Sequence, residues 1–402
     1  MQYYFYCMEQ VHLTQQIPQK QIIHSRATSL YCPSCSKEYD IHSLQTFATC
    51  CNQPLVTRYN TEHVSKSIID TSVSSMWRYS KLLPLFDKKN LVSLHEGSTP
   101  NFMLTKTAAK LNIHKILLKD EGVNPTGSFK ARGISVAVSK AKELGINHIV
   151  IPTAGNAGGA LSAYAAKADV KATVIMPRHT SETLKEECRL YGAELILLDG
   201  LIDACGKKAA QLKAEKGYFD MSTLKEPYRL EGKKTLGYEI AEQLNWQLPD
   251  VIIYPTGGGT GLIGIWKAFK EMREMGWISG KLPRMVVVQT ENCNPMIQTL
   301  NNGFIPDTYL ATQTKALGLA VPKPFATDLI IDAVRASNGI GISVSEEEME
   351  RGIEDIAGSE GILLSPEGSA TYIGLKKLIE KDWIHEDETV LLFNTGSWYK
   401  YR

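Results

Sequence analysis

DVIIYPTGGGTGLIGIWKAFKEM, residues 250–272, joins a short apolar run to a stretch with helical spacing through three consecutive glycines. A nearly continuous apolar run is how a parallel strand buried on both faces reads. The turn after it exposes main-chain N–H groups at a helix N-terminus, where they and the helix dipole attract phosphate. Gly257, Gly258 and Gly259 permit close approach of the backbone, and Thr260 adds a hydroxyl donor.

The same alternation runs outward in both directions. Apolar runs occur at HKILLKDE (114–121), HIVIP (148–152), KATVIMP (171–177), ELILLD (194–199), RMVVVQT (284–290) and ETVLLFNTG (388–396). Helical spacing separates them, as in ARGISVAVSKAKELG, where Ile134, Val138, Ala141 and Leu144 share one face and Gly145 is placed to end the helix. Strands alternating with helices predict an α/β protein with mostly parallel sheets. Ligands of such sheets collect at the carboxyl ends of the strands. Three further strand ends match the glycine turn in interest: NPTGSFKARG (124–133), PTAGNAGG (152–159) and NTGSWYKY (394–401).

The totals bound the class. The chain has 402 residues, 43% hydrophobic and 22% charged, the balance of a folded globular protein with room for two or three packed units. A net charge of +1 gives no electrostatic case for nucleic acid or an anionic membrane surface. No run approaches the roughly 18 apolar residues that span a bilayer. The opening MQYYFYCMEQVHLTQQ lacks a basic region followed by an apolar one, so it does not read as a secretory signal. Eight cysteines in this length do not suggest a disulfide scaffold, and the expected compartment is the reducing cytoplasm.

Two rival ligands are tested by the same turns. Gly259-Thr260-Gly261-Leu262-Ile263-Gly264 fits G-x-G-x-x-G in the right context, with Glu291 about 27 residues on, so an NAD-dependent oxidoreductase is one reading. Gly122 to Gly127 offers the glycine spacing of a P-loop, but Lys130 stands two positions late and Pro125 removes a cradling N–H. Pyridoxal phosphate alone needs all four turns: a lysine for its aldehyde, a phosphate cradle, a partner for the pyridine nitrogen and a donor to the ring oxygen. Lys130, Gly257–Thr260, Thr395 and Asn156 supply them in that order.

NPTGSFK resembles the lysine motif of fold type II pyridoxal-phosphate enzymes, especially threonine synthases. The likeness continues through LHEGSTP (94–100), PTAGNAGGALSAYAAKA (152–168), LEGKKTLGYEIAEQL (230–244), PTGGGTGLIGIWKAF (255–269), SPEGSAT (365–371) and NTGS (394–397). The resemblance implies a two-domain fold of the tryptophan synthase β type, with a small domain over about 132–225 set into a larger one within 76–402. It implies an enzyme that converts O-phosphohomoserine and water to threonine and phosphate, and a homodimer. Lys130 then holds the cofactor aldehyde, Asn156 the ring oxygen, Gly257, Gly258, Gly259 and Thr260 the phosphate, and Thr395 the ring nitrogen. Thr153, Ala154 and Ala157 surround the substrate carboxylate. Ser128, Arg178 and Lys233 or Lys234 are the candidates for the substrate phosphate. A serine or threonine ammonia-lyase, a β-replacement enzyme acting on serine or phosphoserine, and a non-catalytic paralogue are the alternatives. Trp398 stands where relatives carry a glycine, which predicts a narrower pocket.

Ahead of this region lie a polar extension, residues 1–29, and a cysteine-bearing segment, residues 30–75. Cys32-Pro33-Ser34-Cys35 and then Cys50-Cys51 resemble a zinc ribbon whose second half is broken, because adjacent side chains rarely reach one tetrahedral ion together. Two readings stay open: zinc held by Cys32, Cys35 and Cys51 with Cys7 or His42, and a ribbon that folds without metal. Cys188, Cys205 and Cys293 read as small core residues.

Overall fold

A computed structural model describes residues 22–402. Most of the extension expected over 1–29, and Cys7 with it, lies outside the described residues; its last part, from Ala27, already belongs to a strand. Strands β1 (Ala27–Tyr31), β2 (Glu38–Tyr39) and β3 (Val56–Tyr59) form an antiparallel ribbon in the order β2-β1-β3. Its own small core gathers Leu30, Cys32, Ile41, Ala48 and Leu55.

The chain continues through β4 (Asn101–Met103), β5 (Lys115–Asp120), β6 (His148–Pro152), β7 (Lys171–Pro177), β8 (Glu194–Leu198) and β9 (Phe219–Asp220). It closes with β10 (Val251–Pro255), β11 (Arg284–Thr290), β12 (Ile340–Val344) and β13 (Thr389–Asn394). Strands β6 to β9 make a parallel sheet ordered β8-β7-β6-β9. The remaining six are ordered β12-β11-β10-β13-β5-β4 and are parallel except for the antiparallel edge pair β4–β5.

The continuous apolar runs are explained by the two cores they serve. Ile252, Tyr254, Val287, Leu391 and Phe393 face one core, while Val251, Ile253, Val286, Val288, Val390 and Leu392 face another across the same sheet. The smaller sheet divides likewise, Ile149 and Ile151 on one side and Val150 with Ile175 on the other. Period-two alternation persists, but both faces are apolar. Cys188, Cys205 and Cys293 are buried, as small core residues should be.

Six helices position the site: α1 (Lys130–Glu143), α2 (Ala157–Ala168), α3 (Glu182–Leu190), α4 (Tyr228–Gln243), α5 (Thr260–Glu274) and α6 (Pro366–Glu380). Helices α2 and α5 begin within a few residues of the carboxyl ends of β6 and β10, and α1 follows β5 after the lysine turn. Helix α4 is buried at every residue from Tyr228 to Ala241 despite five charged side chains at 229, 231, 233, 234 and 239. Three of those charges are matched inside by close ion pairs: Glu231 with Lys234 at 2.9 Å and with Lys267 at 3.2 Å, and Glu239 with Lys119 at 2.6 Å and Arg132 at 2.9 Å. Helices α1 and α4 approach backbone to backbone, since a Cβ on Gly232 would lie 2.1 Å from the Arg132 carbonyl oxygen. Helix α1 also packs on α2, so it joins the two sheets' cores. Among the described residues, no helix is long and apolar enough to cross a membrane.

Candidate active site

The lysine turn is built in layers. The Asp120 carboxylate, at the end of β5, accepts from the Gly122 N–H (2.9 Å) and the Asn394 amide (2.8 Å), tying the start of the turn to the end of β13. Asn124 donates to Glu121 (2.8 Å) and accepts from the Gly97 N–H (3.0 Å). Thr126 and Gly127 both sit in the left-handed region, with φ of +63° and +62°, and reverse the chain within two residues. The main chain then pairs with the strand end opposite: Phe129 N–H donates to the Thr395 carbonyl (3.0 Å) and Ser397 N–H to the Gly127 carbonyl (2.8 Å). Beneath the turn, Glu121 and Arg132 form a buried bidentate pair, both bonds 2.7 Å, so an ion pair closes the segment from 121 to 132.

Lys130 opens α1, its Nζ 4.0 Å from the Phe129 ring centroid. The side chain keeps partial access to the cleft, yet protein atoms surround it closely. Desolvation first and the Arg229 guanidinium second, opposed by the Glu367 carboxylate, together bring its pKa down to about 7. Near neutral pH much of this lysine is therefore the free amine, the form that attacks an aldehyde.

The glycine turn lies beside it. Tyr254, on β10, meets the Phe129 ring edge-on at 6.3 Å. No side chain caps α5, whose N-cap is Gly259 at φ +78°, so its first N–H groups have no intrahelical partner. A Cβ on Gly257 would fall 2.1 Å from the Gly318 carbonyl oxygen, and one on Gly258 2.9 Å from Thr223. Other segments thus pack onto the outer side of the loop. Gly318 in turn donates its N–H to Glu367 (2.7 Å), and its neighbour Leu317 is 4.0 Å from where a Cβ on Gly155 would be. The segment around 317–318 links the glycine turn to the turn that carries Asn156.

Asn156 opens α2, again with no side-chain cap. Its amide donates to the Tyr401 hydroxyl (3.2 Å) and lies 3.2 Å from where a Cβ on Gly396 would be. The Thr153 hydroxyl accepts the Gly155 N–H (3.1 Å), which shapes the turn through Ala154 ahead of Ala157. Thr395 is buried next to Gly396. All four strand-end turns therefore share neighbours around one cleft.

Several sequence expectations land elsewhere. Arg178 is on the surface, its guanidinium 2.8 Å from Asp199 in an exposed pair, because the chain turns outward after β7. Lys234 is spent on Glu231 (2.9 Å) and Glu271 (3.0 Å), away from the cleft. Lys233 donates to the Phe129 carbonyl beneath the lysine turn, and buried Ser128 accepts the Lys130 N–H at 3.4 Å, so both shape the turn. Glu291, the ribose partner of the dinucleotide reading, faces Lys377 at 3.9 Å. Trp398 does not fill the pocket: it stacks under the Arg402 guanidinium at 3.6 Å, and Tyr401 enters instead. Three cleft residues escaped the sequence reading, namely Arg229, Glu367 and Tyr401. Glu367 lay within the SPEGSAT motif, and Arg229 directly before LEGKKT.

Pyridoxal phosphate fits this donor set. The uncapped N-terminus of α5 with its three glycines suits the phosphate, and Lys130 suits the aldehyde. The buried Thr126 hydroxyl and Glu367 Oε2 have no hydrogen-bond partner within the protein, which marks the cleft as built for a polar guest.

A second cluster sits in the ribbon. The sulfurs of Cys32, Cys35, Cys50 and Cys51 all lie within 4.8 Å of one another. Cys50, set aside on sequence because it adjoins Cys51, is included: its sulfur accepts from the Tyr39 hydroxyl (3.2 Å) and is 3.4 Å from the Cys35 sulfur. His42 packs on the Phe86 ring at 4.6 Å and stands outside the cluster.

Comparison with known proteins agrees with this geometry. The model of the pyridoxal-phosphate dependent enzyme family matches residues 92–396. The chain is 33% identical over 374 residues to the threonine synthase of Methanocaldococcus jannaschii, covering 91% of each chain. It is 32% identical to that of a Bacillus species, covering 80% of this chain and 89% of the other. Among solved structures, maize serine racemase aligns with a TM-score of 0.65 at 23% identity, over 74% of this chain and 88% of that one. The tomato threonine deaminase isoform 2 aligns with a TM-score of 0.64 at 20% identity, over 77% and 85%.

Proposed function

The chain belongs to the pyridoxal-phosphate-dependent enzyme family, and on that premise we propose that it is a threonine synthase, converting O-phosphohomoserine and water to threonine and phosphate. The observation that supports this most is the convergence of four strand-end turns on one lysine whose pKa is about 7, in a chain that aligns with threonine synthases over nine-tenths of its length.

Pyridoxal phosphate, when bound, supplies an aldehyde for amino groups and a ring that takes up the electron pair of a deprotonated carbon. Lys130 would hold the aldehyde, Gly257, Gly258, Gly259 and Thr260 the phosphate, Asn156 the ring oxygen and Thr395 the ring nitrogen. The Thr395 hydroxyl is neutral, so it leaves that nitrogen unprotonated and moderates the pull on electrons. Lys130 Nζ, close to neutrality, can accept a proton at the substrate α-carbon and return one. The turn Thr153–Ala157 presents the uncapped start of α2 to a carboxylate.

Arg229 is our choice for the substrate phosphate. It is buried, faces Lys130, and donates to the Met221 carbonyl (2.7 Å). Its acidic neighbour Glu226 stands 3.9 Å off and is pushed up to about 7 by burial, which leaves the guanidinium only partly matched. We also propose that Cys32, Cys35, Cys50 and Cys51 hold zinc. Four thiolates around zinc at about 2.3 Å set their sulfurs roughly 3.8 Å apart, within the spread observed. Purified protein should carry one zinc per chain and lose it in Cys50→Ser; unchanged zinc in that variant would return the site to three cysteines.

A substrate panel tests the activity. Phosphate release from O-phosphohomoserine, with threonine as product, is expected to exceed pyruvate or 2-oxobutanoate formation from serine or threonine. The reverse order would move the assignment to an ammonia-lyase.

A further inference from the structure

The eight residues after β13, Thr395 to Arg402, do more than end the last strand. Lys400 Nζ donates to both carboxylate oxygens of Glu187 on α3, at 2.7 and 2.6 Å, and to the Thr126 carbonyl at 2.8 Å. The pair is largely buried, with side-chain exposures of 12% and 17%. Two motif glycines make room for it. A Cβ on Gly127 would lie 2.8 Å from Lys400 Cδ, and a Cβ on Gly159 would lie 2.0 Å from Glu187 Oε2. Around this pair, Tyr401 receives the Asn156 amide (3.2 Å), and the Thr183 hydroxyl donates to the Arg402 main-chain oxygen (2.9 Å). Asn156, Thr183 and Glu187 all belong to the elements around the β6–β9 sheet, whereas Thr126 belongs to the lysine turn at the edge of the larger one.

We propose that residues 400–402 form a strap fastening the smaller sheet's helices to the lysine turn, and that Lys400 is a positioning residue for Lys130. It acts through the Thr126 carbonyl. Thr126 holds a left-handed conformation that a residue with a Cβ adopts at a cost, and Lys400 is the cation that fixes the carbonyl in that pose. Four residues along the chain, that pose sets where α1 starts and so where the Lys130 amine stands. The inference rests on the pyridoxal-phosphate reading of Lys130 and not on which amino acid is consumed.

The experiment compares wild type with Lys400→Met, Lys400→Arg, Glu187→Gln, the exchange pair Glu187→Lys with Lys400→Glu, and Tyr399→Ala as a control on an exposed neighbour. Melting temperature, affinity for pyridoxal phosphate by absorbance, amide exchange over residues 126–131, and kcat and KM are measured. Lys400→Met should speed exchange in the turn, weaken cofactor affinity and lower kcat at least about tenfold, with KM changed less, because ångström-scale misplacement of a reacting amine is costly. Lys400→Arg should retain most of the rate, and Tyr399→Ala all of it. The exchange pair restores the attraction between the domains but leaves the Thr126 carbonyl without a donor. It should recover the melting temperature and not kcat. Full recovery of both would overturn the positioning role and leave a simple staple. Wild-type exchange, affinity and kcat in Lys400→Met would also overturn it, and if that variant does not fold, the same results in the exchange pair, which lacks the donor to Thr126 as well, would do so. Absence of cofactor absorbance in the wild type would instead strike the functional reading itself.

Discussion

Replacing Arg132 with methionine should destabilise the protein by about 3–5 kcal/mol at pH 8, the range for breaking a buried ion pair from one side. The guanidinium makes four bonds to carboxylates, at 2.7 Å twice to Glu121 and 2.9 Å twice to Glu239, and all three side chains are shut off from solvent. Without it, one cation, Lys119, remains for two carboxylates, and it is bound to Glu239 at 2.6 Å. Glu121 keeps only the Thr99 hydroxyl (2.5 Å) and the Asn124 amide (2.8 Å). In the wild type, burial raises the Glu121 carboxyl, but the Arg132 charge and its hydrogen bonds outweigh that and leave it below its ordinary value. A lowered folded pKa contributes stability above the unfolded pKa and loses it as pH falls. In the variant only burial is left, the folded pKa rises, and the sign reverses: the penalty should shrink as pH falls from 8 to 5, by up to about 1.4 kcal/mol per unit below the new pKa. Urea unfolding of the cofactor-free protein, followed by fluorescence and circular dichroism at both pH values, gives the measurement. A second change, Glu121→Gln, should recover a large part of the loss. A penalty under about 1 kcal/mol at pH 8, or equal penalties at both pH values, would refute the account of the network as a charge balance.

The other expectations are simpler to test. Capture of pyridoxal phosphate by the cofactor-free protein, trapped with borohydride and read by mass, should accelerate as pH rises through about 7, because Lys130 loses its proton there; acceleration only near pH 10 would mean an unperturbed lysine. Gly257→Ala drives a Cβ to 2.1 Å from the Gly318 carbonyl oxygen, so the variant should lose cofactor affinity by at least about tenfold in an absorbance titration while the fold measured by circular dichroism survives. Arg229→Met should raise KM for O-phosphohomoserine by roughly 10- to 100-fold, the effect of removing a charge-assisted contact, and leave inorganic-phosphate inhibition correspondingly weak; an unchanged KM would place the substrate anion elsewhere.

The sheets were legible because buried parallel strands leave unbroken apolar runs, and all seven runs noted became strands. Of the strands in the two larger sheets, three were missed for local reasons: β9 is two residues, β4 is a three-residue edge, and β12 carries Gly341 in a five-residue run. The strand-end turns were legible as well, since glycine, proline and asparagine mark them. What stayed hidden was anything decided by distant packing. Lys233 and Lys234 read as candidates for the substrate phosphate, yet their partners lie in the lysine turn and on α5. Adjacent cysteines argued against one cluster until a tight turn brought both sulfurs together. Trp398 drew attention because relatives carry a glycine there, while the phenol that reaches Asn156 came from three residues later.

Helix α4 has neighbours on every side, so none of its positions from 228 to 241 is a surface position. Most helices offer evolution a wet stripe on which substitutions are nearly free; this one offers none. Libraries of random variants screened for growth or activity should therefore show an unbroken run of intolerance there, with charged and glycine positions as restricted as leucines, and engineers seeking better solubility should leave that helix alone and work on other faces.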